Sequence, residues 1–251
     1  MEEQYTNSGA IHSANFLPWL GTFDKMNRVE KFIFFDVAQY TRGKSWGSRV
    51  KILLNGTEHW LTMPIKKSGT GFQKEFEVEM LEPAYNWKKI LSTITQAYKK
   101  ANHYPETIEF LESFDIASYN DRLIDFSADF CMKTMRKLGN QQVQFVRAKE
   151  NAQLLASTNL KTELIVEVCL AYGIKNYLSG EGCLDFLDPV QFTENNNIAI
   201  AFQGFKHPVY QQVNSKEFVP GLSIVDALMN CGFAGVGEML NVKKLNSGLN
   251  D

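Results

Sequence analysis

Cysteine is scarce. The 251 residues hold four, Cys131, Cys169, Cys183 and Cys231, with no C-x-x-C pair and no histidine at zinc-finger spacing beside them. A disulfide scaffold and a Cys/His zinc module are thereby excluded, and a reducing, cytoplasmic setting is the simplest expectation. Excess charge of one sign is also missing. Lys+Arg 26 against Asp+Glu 28 leaves a formal net charge of -2, too little field to hold a nucleic-acid backbone. No run approaches the ~18 apolar residues that would span a bilayer, so no membrane span is expected. The opening MEEQYTNSGA has neither a basic nor an apolar leader region, which predicts an unexported chain. Repeats, low-complexity tracts and Pro- or Gly-rich linkers are absent. The expectation is one domain over residues 1–251, within which 86–140 could form a helical sub-domain.

What is present is enough apolar residue for a core. Hydrophobic residues make up 44% of the chain, and a chain of this length buries roughly 70–75% of the surface it exposes when unfolded. Ala10-Ile11 leads into Asn15-Phe-Leu-Pro18-Trp19-Leu-Gly21, after which Phe23, Met26 and Val29 keep helical spacing, a strand–loop–helix pattern. KFIFFDVA, residues 31–38, is an apolar run of the kind that sits in a sheet covered on both faces, interrupted by Asp36. Residues 49–54 and 58–64 flank Asn55-Gly56, the strongest short-range hairpin signal. Alternation at 76–80 suggests a further strand. Long helical patterns begin at Asn86 and Tyr119, the second ending at Gly139. From Val143 onward, short strands at 143–146, 176–178 and 198–202 alternate with helices at 162–172 and 189–195. Gly232 caps a last helix that Ser223 opens. The fold class predicted is α/β: a mostly parallel sheet flanked by helices, with an inserted β-hairpin near residues 49–64. Ligands of such sheets bind at the carboxyl ends of strands, which points to the loops after Asn15, Leu178 and Phe202.

Four clusters carry chemistry. Asp36, Gln39, Trp46 and Arg49 follow a strand; acid, amide and guanidinium could orient a polyhydroxylated or phosphorylated ligand, with the indole as a stacking face. Their alternative is an Asp36–Arg49 ion pair tying the hairpin to the sheet. Lys66 and Lys67 enter a Gly/Ser/Thr loop and could contact phosphate, although lysines in such a place are also commonly just solvated and the P-loop order is absent. Gly180-Glu181-Gly182 follows a strand and permits close backbone approach by a ligand. His207, with Tyr210 and Gln211 in one loop, is the candidate general base, against the ordinary structural role of a loop histidine. His12, His59 and His103 rank below it. Elbow, zincin and dinucleotide fingerprints are missing, which removes serine hydrolases, zincins and ordinary NAD enzymes, and no metal site is expected. A cysteine nucleophile, Cys169 or Cys183 with His207, ranks below inert packing.

Taken in order, Asn15-Phe-Leu-Pro-Trp-Leu-Gly-x-Phe, Phe-Asp36-x-x-Gln39-Tyr with Trp46 and Arg49, Trp60-Leu-Thr-x-Pro-x-Lys66-Lys67, Tyr177-Leu-Ser-Gly180, His207-Pro-x-Tyr210 and Leu222-Ser-Ile-x-Asp226 resemble the WbqC-like family over nearly the whole chain. Ser13-Ala14-Asn15 departs from it, standing where Gln and Pro are common. The resemblance implies a bacterial protein of O-antigen or other surface-polysaccharide assembly. Its expected partner is a nucleotide-linked amino sugar, a dTDP-sugar first, and its reaction an N-acyl or N-aminoacyl transfer, such as glycyl, to the sugar amine. On that view His207 is the base, Asp36 and Gln39 bind hydroxyls, and Arg49, Lys66 and Lys67 take phosphates. Glycosyl transfer, with Asp36 as base or metal ligand, and a non-catalytic scaffold role are the alternatives. At the level of fold, Pro18-x-x-Gly21 entering a helix is similar to the start of adenylate-forming ligases, which would make ATP the cofactor. The paired histidines of that motif are missing here.

Overall fold

The computed structural model describes residues 6–41, 46–66, 73–213 and 215–242. Five short strands form the main sheet: β1 (Ser8–His12), β2 (Lys31–Phe34), β5 (Gln144–Arg147), β6 (Asn176–Ser179) and β7 (Ala199–Phe202). Their order is β5-β2-β1-β6-β7, and every neighbouring pair is parallel. Between β2 and β5 the chain inserts a hairpin, β3 (Arg49–Leu54) and β4 (Thr57–Thr62), paired from Leu54↔Thr57 to Arg49↔Thr62. Asn55 and Gly56 form its two-residue turn with φ of 51° and 77°, the left-handed pair this turn requires.

Alternation along each strand sends side chains to two covered faces. Ala10, Phe32, Phe34 and Leu178 enter one core, packed against helices α1 (Leu20–Asn27), α2 (Pro83–Tyr98), α3 (Tyr104–Glu112), α4 (Leu123–Leu138) and, late in the chain, residues 224–239. Ile11, Ile33 and Tyr177 enter the other, beneath α5 (Ala152–Ala156), α6 (Lys161–Ala171) and α7 (Pro189–Asn196). This explains why residues 31–38 read as a continuous apolar run. Cys169, buried on α6 in the second core, has its thiol pushed up to about 12 by burial and is packing rather than a nucleophile.

Three local expectations need correction. Residues 76–80 are no strand: Glu75–Glu77 is a 3₁₀ turn whose Glu75 and Phe76 amides donate to the Ala38 and Asp36 carbonyls, and only Glu79 and Met80 make isolated bridges. The second long helix starts at Leu123, because Asn120 and Asp121 are left-handed (φ 49° and 61°). α3 was masked in the sequence by Pro105, which fits the first turn of a helix, where its missing amide costs nothing. At the other end of the chain, Gly232 ends the helix that Ser223 opens, as expected, and a second helical segment follows directly across the kink, the two together forming α8 (Ile224–Met239). The φ of Gly232 is 69°, and a Cβ there would lie 2.5 Å from the His103 ring.

Asp36 is buried where β2 ends, and its partner is Arg147 rather than Arg49. Arg147 Nε donates to Oδ2 at 2.7 Å and the Lys149 amide to Oδ1 at 2.8 Å, fixing the end of β2 to the end of β5. Breaking one side of such a pair strands a charge. Arg147→Met should therefore lower the unfolding free energy by about 3–5 kcal/mol, read from urea denaturation, whereas adding Asp36→Leu should recover most of the loss.

Candidate functional site

All five strands run the same way, so their carboxyl ends share one edge. From β1 the chain winds outward through β2 to β5, then crosses back to build β6 and β7 on the other side of β1. The loops leaving β1 and β6 therefore diverge, and a crevice opens between them. Its volume is about 230 Å³. His12 ends β1, Trp19, Gly21, Thr22 and Lys25 come from α1 and its entry, Gly180, Glu181 and Gly182 follow β6, and Gln203 and Phe205 follow β7. A wider depression of about 510 Å³ between Glu106, Lys137 and Phe233 lies on the helices, away from the strand ends.

Pro18 and Gly21 shape the entry to α1. The Trp19 indole folds back over Gly21, so close that a Cβ there would stand 2.4 Å from the ring, and α1 starts without a side-chain cap. Just ahead of it Leu17 is held at φ 43°, a strained value for a bulky residue. Its carbonyl accepts from Ser223 Oγ at 2.7 Å, and the Pro18 carbonyl accepts from the Ile224 amide at 2.9 Å. The last helix thus clamps the loop that forms the crevice wall.

Inside, one face of α1 presents Gly21, Thr22 and Lys25. Lys25 is 3% exposed, and among the described residues no hydrogen bond or ion pair holds its ammonium. Burial lowers its pKa from 10.5 to about 8, partly offset by Cys183 and Asp24. The ammonium lies 2.9 Å from where a Cβ of Gly180 would stand, so glycine leaves it the room it occupies. Thr22 is 2% exposed, and among the described residues its hydroxyl has no hydrogen-bond partner. His12 is held with Nδ1 2.7 Å from the Ser13 carbonyl; burial and then Lys25 push its pKa down to about 3, so it is neutral at pH 7. Gln203 closes the floor by donating to the Gly21 carbonyl and to Asp24 Oδ2, both at 2.7 Å.

The loop after β7 carries His207 along the aromatic wall. Its ring centroid lies 6.4 Å from Trp19, 5.7 Å from Phe205, 6.3 Å from Tyr210 and 5.1 Å from Phe218. Nδ1 sits 2.8 Å from the Pro208 carbonyl. Behind it is Asp226, buried on α8, accepting from Tyr98 Oη, Tyr210 Oη and Gln212 Nε2 at 2.8 Å each. Burial raises its pKa and the three donors pull it back. Tyr98 also accepts from the Leu53 amide at 3.0 Å, so this one carboxylate joins α2, the hairpin, α8 and the His207 loop.

Of the residues expected to form the site, Gly180 and Glu181 line the crevice and His207 and Tyr210 stand against its aromatic wall. Gln211 is exposed, and its neighbour Gln212 makes the buried contacts instead. Asn15 lies in the loop after β1, its amide on the Ser13 carbonyl. Gln39 is exposed and bridges Lys74. The Trp46 and Trp60 rings meet at a tilt with centroids 4.9 Å apart, and the Arg49 guanidinium lies 4.2 Å from the Trp60 centroid. Lys66 is paired with Asp121 at 2.8 Å and Glu79 at 3.1 Å. None of these lines the crevice, and Lys67 lies outside the described residues. Lys25, Thr22 and His12 were missed as a group; the signal was polar residues on the buried face of a helix that follows Pro18-x-x-Gly21.

Fold and site define a doubly wound α/β protein with a polar crevice at its strand-order reversal. The chain belongs to the WbqC-like protein family, whose model matches residues 14–238. It is 25% identical over 233 residues to the uncharacterized protein Rv1507c of Mycobacterium tuberculosis, covering 89% of this chain and 93% of that one. No solved structure matches it significantly. No described helix is long and apolar enough to cross a membrane.

An unpaired buried ammonium costs stability that an apolar isostere would not. Lys25→Met should raise the unfolding free energy above that of the wild type in the absence of ligand, by about 1–3 kcal/mol, read from urea denaturation. The sign with pH follows. Between pH 8 and 10.5 the unfolded state holds the Lys25 proton and the folded state does not, so wild-type stability gains on that of the variant as pH rises through this window. A constant difference across it would remove Lys25 from the buried, unpaired role.

Proposed function

We propose that this protein is a transferase of bacterial surface-polysaccharide assembly, forming an N-acyl or N-aminoacyl bond at the amine of a nucleotide-linked amino sugar. The pathway class is what the resemblance to the family implies, and His207 is the observation on which the proposed chemistry rests. With Nδ1–H donated to the Pro208 carbonyl, the lone pair of the neutral ring is on Nε2. A sugar ammonium has no lone pair and cannot attack. His207 would take its proton; the freed amine then adds to the acyl carbonyl, the C–N bond forms, and the bond from that carbon to its activating group breaks. Trp19, Phe205, Tyr210 and Phe218 around the ring offer apolar faces for a sugar and keep bulk water away.

Glycosyl transfer is less well supported. That reading needs Asp36 as base or metal ligand, and both of its oxygens are already taken by Arg147 and Lys149 inside the sheet edge. Lys66 is likewise a poor phosphate ligand, since two carboxylates already balance it.

The test is turnover of a dTDP-amino sugar with activated acyl or aminoacyl donors, followed by mass spectrometry. His207→Ala should lower kcat by roughly 10²–10⁴ with the fold intact. Near-wild-type kcat would remove His207 as the base, and a failure of every amino sugar to gain an acyl group would overturn the reaction class.

A further inference from the structure

A helix start alone does not make a ligand site, and here two buried polar groups accompany it. Lys25 and Thr22, both more than nine-tenths buried, line the same crevice and have no hydrogen-bond partner among the described residues. The Thr22 hydroxyl has lost its water and gained no partner, and the Lys25 ammonium, in a residue 3% exposed, is left with only what the crevice admits, so both carry a cost. A ligand that supplies acceptors to both would restore the balance. The first turn of α1 has no side-chain cap, and with the Thr22 amide on the Trp19 carbonyl it adds the Gly21 amide and a positive dipole end to the same wall.

We propose that the crevice binds a phosphate group of a nucleotide, with the Lys25 ammonium, the Thr22 hydroxyl and the Gly21 amide at the start of α1 as its donors. The donor set favours phosphate over a carboxylate. An ammonium, a hydroxyl and a backbone amide on different groups suit the tetrahedral oxygens of a phosphate, whereas a planar carboxylate leaves one of them unmet. Size agrees: about 230 Å³ holds a diphosphate and part of a sugar, with Trp19 and Phe205 as flat walls for the rest. Gly180 and Gly182 present no side chain that would block the group. Two charges need accounting. Glu181 is the carboxylate on the rim, and its exposure lets water screen it. Asp24 is already engaged by Gln203 and Arg28. His12 is neutral and adds no charge of either sign.

The nucleotide could be the diphosphate of a nucleotide-linked sugar or a nucleoside triphosphate that activates the acyl donor, and both share the chemistry proposed. Isothermal titration of the full-length wild type, Lys25→Met and Thr22→Val with pyrophosphate, dTDP and ATP separates them. The wild type should bind pyrophosphate and at least one nucleotide. Lys25→Met should weaken each by tenfold or more, and Thr22→Val by severalfold, with both variants as stable as the wild type or more so. Tighter binding of dTDP than ATP identifies the sugar donor as the source, and the reverse identifies the triphosphate. Equal binding by all three proteins, or binding of acetate and glycine but not pyrophosphate, overturns the proposal. Titration reads no turnover, so a protein that binds phosphate through Lys25 yet acylates no amino sugar refutes the reaction and leaves this site standing.

Discussion

The architecture rests on a constraint of winding. A parallel sheet built outward from β1 in one direction and then in the other must leave the loops at the carboxyl ends of β1 and β6 diverging, because no crossover passes between them. In that gap the Lys25 ammonium, the Thr22 hydroxyl and the start of α1, which has no side-chain cap, lie together. The Asp36–Arg147 pair, by contrast, belongs to the closed part of the same edge, where β2 and β5 run side by side and polar groups satisfy one another.

A second carboxylate holds the crevice in shape from behind. Asp226 accepts three hydrogen bonds, and each donor comes from a segment that must be fixed for the site to exist: Tyr98 from α2, which also steadies the hairpin through Leu53, and Tyr210 and Gln212 from the loop that carries His207. Three and two residues earlier on the chain, Ser223 and Ile224 hold the Leu17-Pro18 turn. The start of one helix therefore positions both walls, the α1 entry and the His207 loop. Buried carboxylates of this kind stabilise little on their own, but with three fixed donors they select one arrangement of the elements around them.

Much of this was legible in the sequence because it is local. The hairpin follows from Asn55-Gly56 between β-type runs, and the parallel sheet from short apolar strands alternating with helices after Val143. Gly180, Glu181, His207 and Tyr210 were found by their position after strands, which is where such sheets place ligands. What was not legible depends on partners distant in the chain. Nothing in the surroundings of Asp36 announces Arg147, 111 residues away. Lys25 reads as a solvated helix charge until α1 is seen to bury that face against the β6 turn. Gln212 and Gln211 are indistinguishable until the loop's direction is known, and residues 76–80 alternate like a strand although their amides are claimed by the loop after β2.

The most direct test of the crevice as the place where this protein works is hydrogen–deuterium exchange of the full chain with and without a nucleotide-linked amino sugar. Binding there should slow exchange at residues 12–25, 180–182 and 203–212 together, since these segments wall the crevice and are joined through Ser223 and Asp226. Slowed exchange confined to the hairpin at residues 49–62, around the Trp46–Trp60 pair, with the crevice segments unchanged, would contradict it.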